Sequence, residues 1–308
     1  MQSVNQKTLS NPVSFEGVGL HSGQKSKVTI NPGKEDQGII FKRIDLKKNN
    51  LIEANYKNVT SAKLCTTLEN KNGVKVSTVE HLLAALYFSD IDNAVIEINS
   101  NEVPIMDGSA KDFLEILKNT KLSSLSKKRK YLKVIDKIEL IDGARKISIE
   151  PDDNSLEVDF KLNYENQIIG KQRNKINFSN NNSDDIINSR TFCLFQDIEK
   201  IKKAGLAKGG SLDNAIVVDQ NKVLNKEGLR NDKEFVNHKI LDLVGDFLLS
   251  GYRIVGKIKC EQGGHELTNL FLRKMLDQTK LLNVFELNNI FISKRLKSNS
   301  FVKLAVNA

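Results

Sequence analysis

The sequence predicts an α+β protein made of two similar domains, each a sheet with helices layered on it. Three observations carry this expectation. Short runs that alternate apolar and polar residues, or are rich in Val and Ile, recur between Gly, Pro and Asn turn signals. In each half these runs are followed by stretches whose apolar residues recur at helical spacing. Between the halves, residues 122–130 (LSSLSKKRK) are Ser-rich, then strongly basic, with no apolar face, and read as a linker. The boundary is placed near residue 125, giving domains at 1–125 and 126–308, although no residue-level repeat accompanies the repeated plan.

The first domain opens with strand-like residues 13–16, 27–30 and 38–41. The Gly-punctuated loop GVGLHSG (17–23) holds His21, which is expected to be structural or peripheral rather than a ligand. Within residues 75–88, KVSTVEHLLAALYF, Ser77 or Thr78 can cap a helix. Glu80 and His81 fall in its first turn, and Val79, Leu82, Leu83 and Leu86 form its apolar stripe. A strand over residues 94–98, the turn VPIMDGSA and a short amphipathic helix at 110–118 follow.

In the second domain, residues 131–141 and 146–150 are strand-like and separated by Asp142-Gly143, a hairpin signal. LEVDFKL (156–162) alternates apolar and polar residues, and NFSNNNSDD (177–185) is a polar loop. Residues 189–219 read as a helix-like piece between two apolar strands. VNHKILDLVGD (236–246) reads as helix, because Val236, Ile240, Leu243, Val244 and Phe247 recur at helical spacing with no Pro. A strand at 251–259 leads to GGHELTNLFLRKML, which places His265 after a double Gly at the entry to a closing helix. The tail beyond residue 280 reads as a peripheral strand or a partly ordered end.

Bulk properties exclude several function classes. With 308 residues, 39% hydrophobic and 28% charged, the chain is neither disordered nor fibrous. No apolar run reaches the roughly 18 residues needed to span a bilayer. The opening MQSVNQKTLS lacks the apolar core of a signal peptide, so a cytoplasmic protein without stable membrane insertion is expected. Cys65, Cys193 and Cys260 are odd in number and widely spaced, which argues against a disulfide framework or a Cys-based zinc site. A net charge of +9 suits an anionic or phosphorylated partner. There is no helix-turn-helix, no RNP-like aromatic pattern and no Trp, so nucleic acid is not expected. A monomer is expected.

The chemistry concentrates on a few residues. His238 and Asp242 are i,i+4 and share a helix face, Asp246 stays close to that face, and Lys239 points about 100° away. Taken alone, such a pair describes an ordinary surface helix, and a metal site needs a third ligand from elsewhere. Glu80 and His81 are about 100° apart, yet at a helix start both can reach one cleft. Assigning His81, His238 and Asp242 to a metal leaves Glu80 and His265 as one base and one acid, by residue type and spacing. H-E-x-x-H is absent.

These residues also carry a family likeness. TVEHLLAAL, VPIMDGSA, SRTF, GGSLDNAIVVD, VLNKEGLR, FVNHKILDLVGD and GGHELTN look like the motifs of the bacterial UDP-3-O-acyl-N-acetylglucosamine deacetylases, in their order and spacing. The chain resembles that family over roughly residues 5–275. The resemblance implies zinc (iron being possible in vivo) on His81, His238 and Asp242, with a water completing the open fourth position. It implies that Glu80 is the base, that His265 is the acid, and that Asp246 orients His265. It further implies that Thr191 stabilises the oxyanion and that Lys239 and Phe192 contact an acylated UDP-sugar. The implied fold packs helices face to face between outer sheets, with an insert near residues 192–218 forming a passage for the acyl chain. Ile198, Ile201, Leu206 and Leu212 are candidates for its lining.

Four positions depart from the family pattern: Cys193 after the T-F pair, Lys208 within the usual apolar run, Thr268 after the last His, and LEVDFKLNY without its His-Pro ending. Two rivals stand beside this reading. One is a related zinc hydrolase acting on another N-acyl sugar or a peptide, and the other a basic non-catalytic binding module.

Overall fold

Alternation along the strand Lys25–Pro32 sets up the first sheet: Ser26, Val28 and Ile30 are buried while Lys25 and Lys27 face solvent. We describe residues 4–153, 155–179 and 182–287 of a computed structural model. The first sheet has five strands in the order Val13–Val18, Lys25–Pro32, Ala94–Ile98, Ile39–Arg43 and Leu51–Glu53. Its pairings are antiparallel except that between Ala94–Ile98 and Ile39–Arg43. The second sheet has seven strands, ordered Ile138–Asp142, Arg145–Glu150, Arg253–Glu261, Lys130–Val134 and Leu282–Glu286. Leu156–Asn163 also pairs with Arg253–Glu261 and carries Lys171–Asn177 on its other side.

Helices fill the space between the sheets. The first half supplies α1 (Glu80–Phe88) and α2 (Lys111–Lys118). The second supplies α3 (Asp184–Ile187), α5 (Glu234–Leu248) and α6 (His265–Asp277), whereas α4 (Phe195–Lys203) buries no residue and packs outside this layer, on the strands Phe192–Leu194 and Ile216–Asp219. α1 packs directly on α5, α2 lies against α1 and Val13–Val18, and α6 lies against α5 and the hairpin of the second sheet. The fold is therefore α+β, with its helices layered between two outer sheets. Glu80 to Leu86 are all buried, as expected of a helix covered on every side. Gly245 of α5 makes the helix contact possible: a Cβ there would lie 2.1 Å from the Glu80 carbonyl oxygen. Side chains from both halves form one continuous core.

At the other end of α1, buried charges join the halves. Arg129 donates from Nη2 to Asp92 Oδ2 (2.7 Å) and to the Asp90 carbonyl (2.9 Å), and from Nη1 to the Asp90 carboxylate. Arg253 donates to the carbonyls of Tyr87 (2.8 Å) and Ile91 (3.1 Å), with its guanidinium 4.4 Å from the Tyr87 ring centre. Lys7 pairs with Asp90 at 2.6 Å.

Three local expectations change, and a fourth, for the tail, holds where it can be followed. Leu122–Lys128, read as linker, is a strand antiparallel to Asn5–Leu9. It has no apolar face to bury, so backbone bonds and the Ser126–Glu35 contact hold it, and hydrophobic patterning could not reveal it. The predicted strand at 131–141 is two strands, one pairing with Leu282–Glu286 and the other turning into the hairpin at Gly143, whose φ of +58° suits glycine. Thr78 does not cap α1. It adopts φ +56°, rare for a β-branched residue, and its hydroxyl donates to Glu102 Oε1 at 2.9 Å. Of the tail, Leu282–Glu286 is an edge strand, as the peripheral-strand reading expected, and residues 288–308 lie outside the described residues.

Candidate active site

The close approach of α1 and α5 brings His81 to His238 and Asp242. Asp242 Oδ1 lies 3.3 Å from His238 Nε2 and 3.4 Å from His81 Nε2, with all three residues buried. The two imidazoles meet edge to face, with ring centres 5.0 Å apart. Among the described residues these three form a group whose donor atoms converge, and Asp242 Oδ1 is a buried acceptor with no hydrogen-bond partner. A tetrahedral metal with bonds of about 2.0–2.1 Å requires its ligands to be about 3.3–3.4 Å apart. Both separations to Asp242 Oδ1 meet that requirement, so the residues fit a divalent ion.

The charge states suit the same role. His238 Nδ1–H donates to the Ser189 carbonyl at 3.1 Å, which leaves the Nε2 lone pair turned toward Asp242. Burial drives the His238 pKa down to about 3, so the ring is neutral. Burial would raise the Asp242 pKa, but His238, Lys239 and His265 outweigh it and hold the group well below the usual carboxylate range. Two imidazoles and one carboxylate are a donor set for zinc or ferrous iron.

A second pair of titratable groups borders this cluster. His265, the first residue of α6, donates from Nδ1 to Asp246 Oδ2 at 2.8 Å. Its Nε2 faces Glu80 Oε1 and Asp242 Oδ2, each at 3.7 Å. Burial alone would lower the His265 pKa, yet Asp246, Asp242 and Glu80 hold it up at about 10, so the ring is cationic at neutral pH. Burial raises the Glu80 pKa, with Asp246 and Asp242 adding to the effect and His265 and His81 opposing it. A carboxyl group with a raised pKa and a cationic imidazole thus face each other across the same space.

That space is a cavity of about 330 Å³ reached by Glu80, His81, His238, Asp242, His265 and Thr191. Phe192 and Lys239 border it too. The Lys239 ammonium lies 5.5 Å from the Phe192 ring centre and donates to Asp242 Oδ2 at 2.9 Å. The residue leaves α5 in another direction, but its long stem returns the charge to the site. A second cavity, of about 350 Å³, adjoins the first at Thr191, Phe192 and Cys193 and is walled by Ile198, Ile201 and Leu212. Leu206, expected beside them, is not part of that wall, and His21 is. Lys208, one of the departures, is exposed; its backbone N–H donates to the His21 carbonyl at 3.3 Å. All three cysteines are free thiols; burial, then Glu80, pushes Cys65 up to about 12, so it is protonated beside the cluster.

Comparison with known proteins places this geometry in context. The family model for LpxC, described as UDP-3-O-acyl N-acetylglycosamine deacetylase, matches residues 6–277. The chain belongs to this deacetylase family. A UDP-3-O-acyl-N-acetylglucosamine deacetylase from Geotalea uraniireducens (strain Rf4) is 43% identical over 283 residues, covering 92% of each chain. Proteins of the same name from Pseudoalteromonas translucida (strain TAC 125) and Idiomarina loihiensis (strain ATCC BAA-735 / DSM 15497 / L2-TR) are 38% and 40% identical. Each covers 89% of this chain, which in turn covers 91% and 90% of theirs.

Sequence reasoning missed three residues that shape this deacetylase-family site. Ser189 contributes a backbone carbonyl to His238, which no side-chain pattern reveals. Glu102, 1% exposed, accepts from the backbone of His21 (2.8 Å) and Ser22 (2.7 Å) and from Thr78, joining the GVGLHSG loop to the start of α1. Thr66 touches Glu80, Asp246 and His265. An acidic residue directly before the VPIMDGSA turn was the available signal for Glu102; LCTTLE offers none for Thr66.

Proposed function

We propose that the protein hydrolyses the N-acetyl group of UDP-3-O-acyl-N-acetylglucosamine, giving acetate and the acylated glucosamine nucleotide, the committed step of lipid A biosynthesis. The observation that carries this reading is one cavity holding a two-His, one-Asp cluster, a raised carboxyl and a cationic imidazole, continuous with an apolar cavity. The activity named for the relatives supports it. No helix among the described residues is long and apolar enough to cross a membrane, and free cysteines suit the expected cytoplasmic setting. A single chain suffices for every role assigned below, in keeping with a monomer.

In this reading His81, His238 and Asp242 hold zinc, or ferrous iron. When bound, the metal lowers the pKa of water to about 7 and polarises the amide carbonyl. Glu80 takes the proton of the attacking water; its raised pKa brings it closer to neutral, where a general base works best. His265 gives its Nε2 proton to the nitrogen as the C–N bond breaks, because an amide anion is a very poor leaving group. Asp246 keeps the ring oriented and charged. The Thr191 hydroxyl donates to the oxyanion, while Lys239 and Phe192 hold the substrate. The apolar cavity behind Phe192 takes the 3-O-acyl chain, and the net charge of +9 favours the diphosphate. Residues 1–125 and 126–308 act as two domains, with Glu80 and His81 from the first meeting the others from the second.

The deciding experiment is a deacetylation assay on UDP-3-O-acyl-N-acetylglucosamine, with and without a chelator. Acetate release should be lost on metal removal and return with zinc. Turnover that survives complete removal of metal would end this account.

A further inference from the structure

Thr66 lies between the strands Val59–Ser61 and Thr67–Glu69, far in sequence from most of the site, and is 2% exposed. Its backbone N–H donates to Glu80 Oε2 at 3.0 Å. Its hydroxyl donates to Asp246 Oδ1 at 2.6 Å, and the same oxygen lies 3.3 Å from His265 Nδ1. A hydroxyl has one proton, so donation to Asp246 leaves its lone pairs facing the imidazole N–H, which is shared with Asp246 Oδ2. Two buried carboxylates are thereby each held by one oxygen. Glu80 keeps Oε1 free, 3.7 Å from His265 Nε2, and Asp246 keeps Oδ2 for His265. Among the described residues, the hydrogen bonds to the Asp246 carboxylate come from Thr66 and His265 alone.

We propose that Thr66 is a positioning residue that orients the base and the acid together: its amide sets the Glu80 carboxylate, and its hydroxyl sets Asp246 and, through it, His265. This rests on the reading of Glu80 as base and His265 as acid. Without the hydroxyl, Asp246 loses one of two donors and can turn about its own side chain, carrying His265 with it. The amide bond to Glu80 survives any ordinary substitution, so the side-chain half is the part that mutation tests.

The experiment compares Thr66→Val, which keeps shape and loses the hydroxyl, with Thr66→Ser, which keeps the hydroxyl and loses the methyl. Thr66→Val should lower kcat about 10- to 100-fold, the range for loss of a supporting partner. KM and metal content should be unchanged, and Thr66→Ser should restore most of the rate. On an Asp246→Asn background Thr66→Val should add little further loss, because the hydroxyl acts through Asp246. Wild-type kcat in Thr66→Val, equal loss in Thr66→Ser, or full additivity with Asp246→Asn would each overturn the proposal. If the Val variant does not fold, Thr66→Ala replaces it in the same comparison. Glu80→Gln and His265→Gln serve as controls. Wild-type turnover in either breaks the acid–base reading itself, whereas loss in both with a normal Thr66→Val breaks the Thr66 proposal alone.

Discussion

The two ends of α1 both bury charge where the halves of the molecule meet, yet they are built on opposite principles. At the C-terminal end, Asp90 and Asp92 face Lys7, Arg129 and Arg253, and none of these side chains has an unpartnered buried polar atom among the described residues. At the N-terminal end, Glu80, Asp242 and Asp246 face Lys239 and His265, and both Asp242 Oδ1 and His81 Nδ1 lack hydrogen-bond partners. An unpaired polar atom in the interior costs free energy, so such atoms need a reason. The saturated network joins the two halves; the unsaturated one contains Asp242 Oδ1, the acceptor on which the two imidazoles of the candidate metal cluster converge. That contrast separates fastening from chemistry without reference to either residue type or charge count.

Substitutions at each end should sharpen the contrast, in order of expected effect. Glu80→Gln, which keeps size and removes the carboxylate proposed as the base, should lower kcat about 10²–10⁴-fold with metal content intact, as measured by turnover and metal analysis. Arg129→Met should leave the kcat of the folded protein unchanged but destabilise it by about 3 kcal/mol in denaturant unfolding, because Asp92 is left largely buried without its strongest partner. A loss of kcat in that variant would erase the distinction between the two ends. Asp246→Asn removes the first of the carboxylates that raise the His265 pKa. The imidazole should then lose its proton at lower pH, so the basic limb of the pH–rate profile should move down from its wild-type position. Lys7→Ala, with its ammonium about one-third exposed, should cost only about 0–1 kcal/mol, diminishing further with added salt.

The fold and the site were legible to different depths. His238, Asp242 and Asp246 could be placed on one face because helical periodicity is local and α5 runs without interruption from Glu234 to Leu248. The sheets were legible where a strand buries one face, as in Lys25–Pro32, and illegible where pairing alone holds it, as in Leu122–Lys128 with Asn5–Leu9. That Glu80 and His81 reach the same cavity as α5 followed from motif order, not from patterning, since no local rule spans the distance between halves. Thr78 shows a different failure. Its type and position suggested a helix cap, but Glu102 draws its hydroxyl away and the backbone takes a left-handed turn instead. Thr66 was invisible for a similar reason: its hydroxyl has meaning only beside Asp246, 180 residues later.

The missing side chain at Gly245 has a mechanical consequence. Because that residue rests against the Glu80 carbonyl, backbone meets backbone at the crossing of α1 and α5. The gap between the halves is fixed there by a hard stop rather than by the fit of deformable side chains. Core residues farther along either helix can change size and alter stability while the span from His81 to His238 and Asp242 holds its gauge. A methyl at Gly245 would act as a shim driven into that joint, widening every distance across the cavity at once.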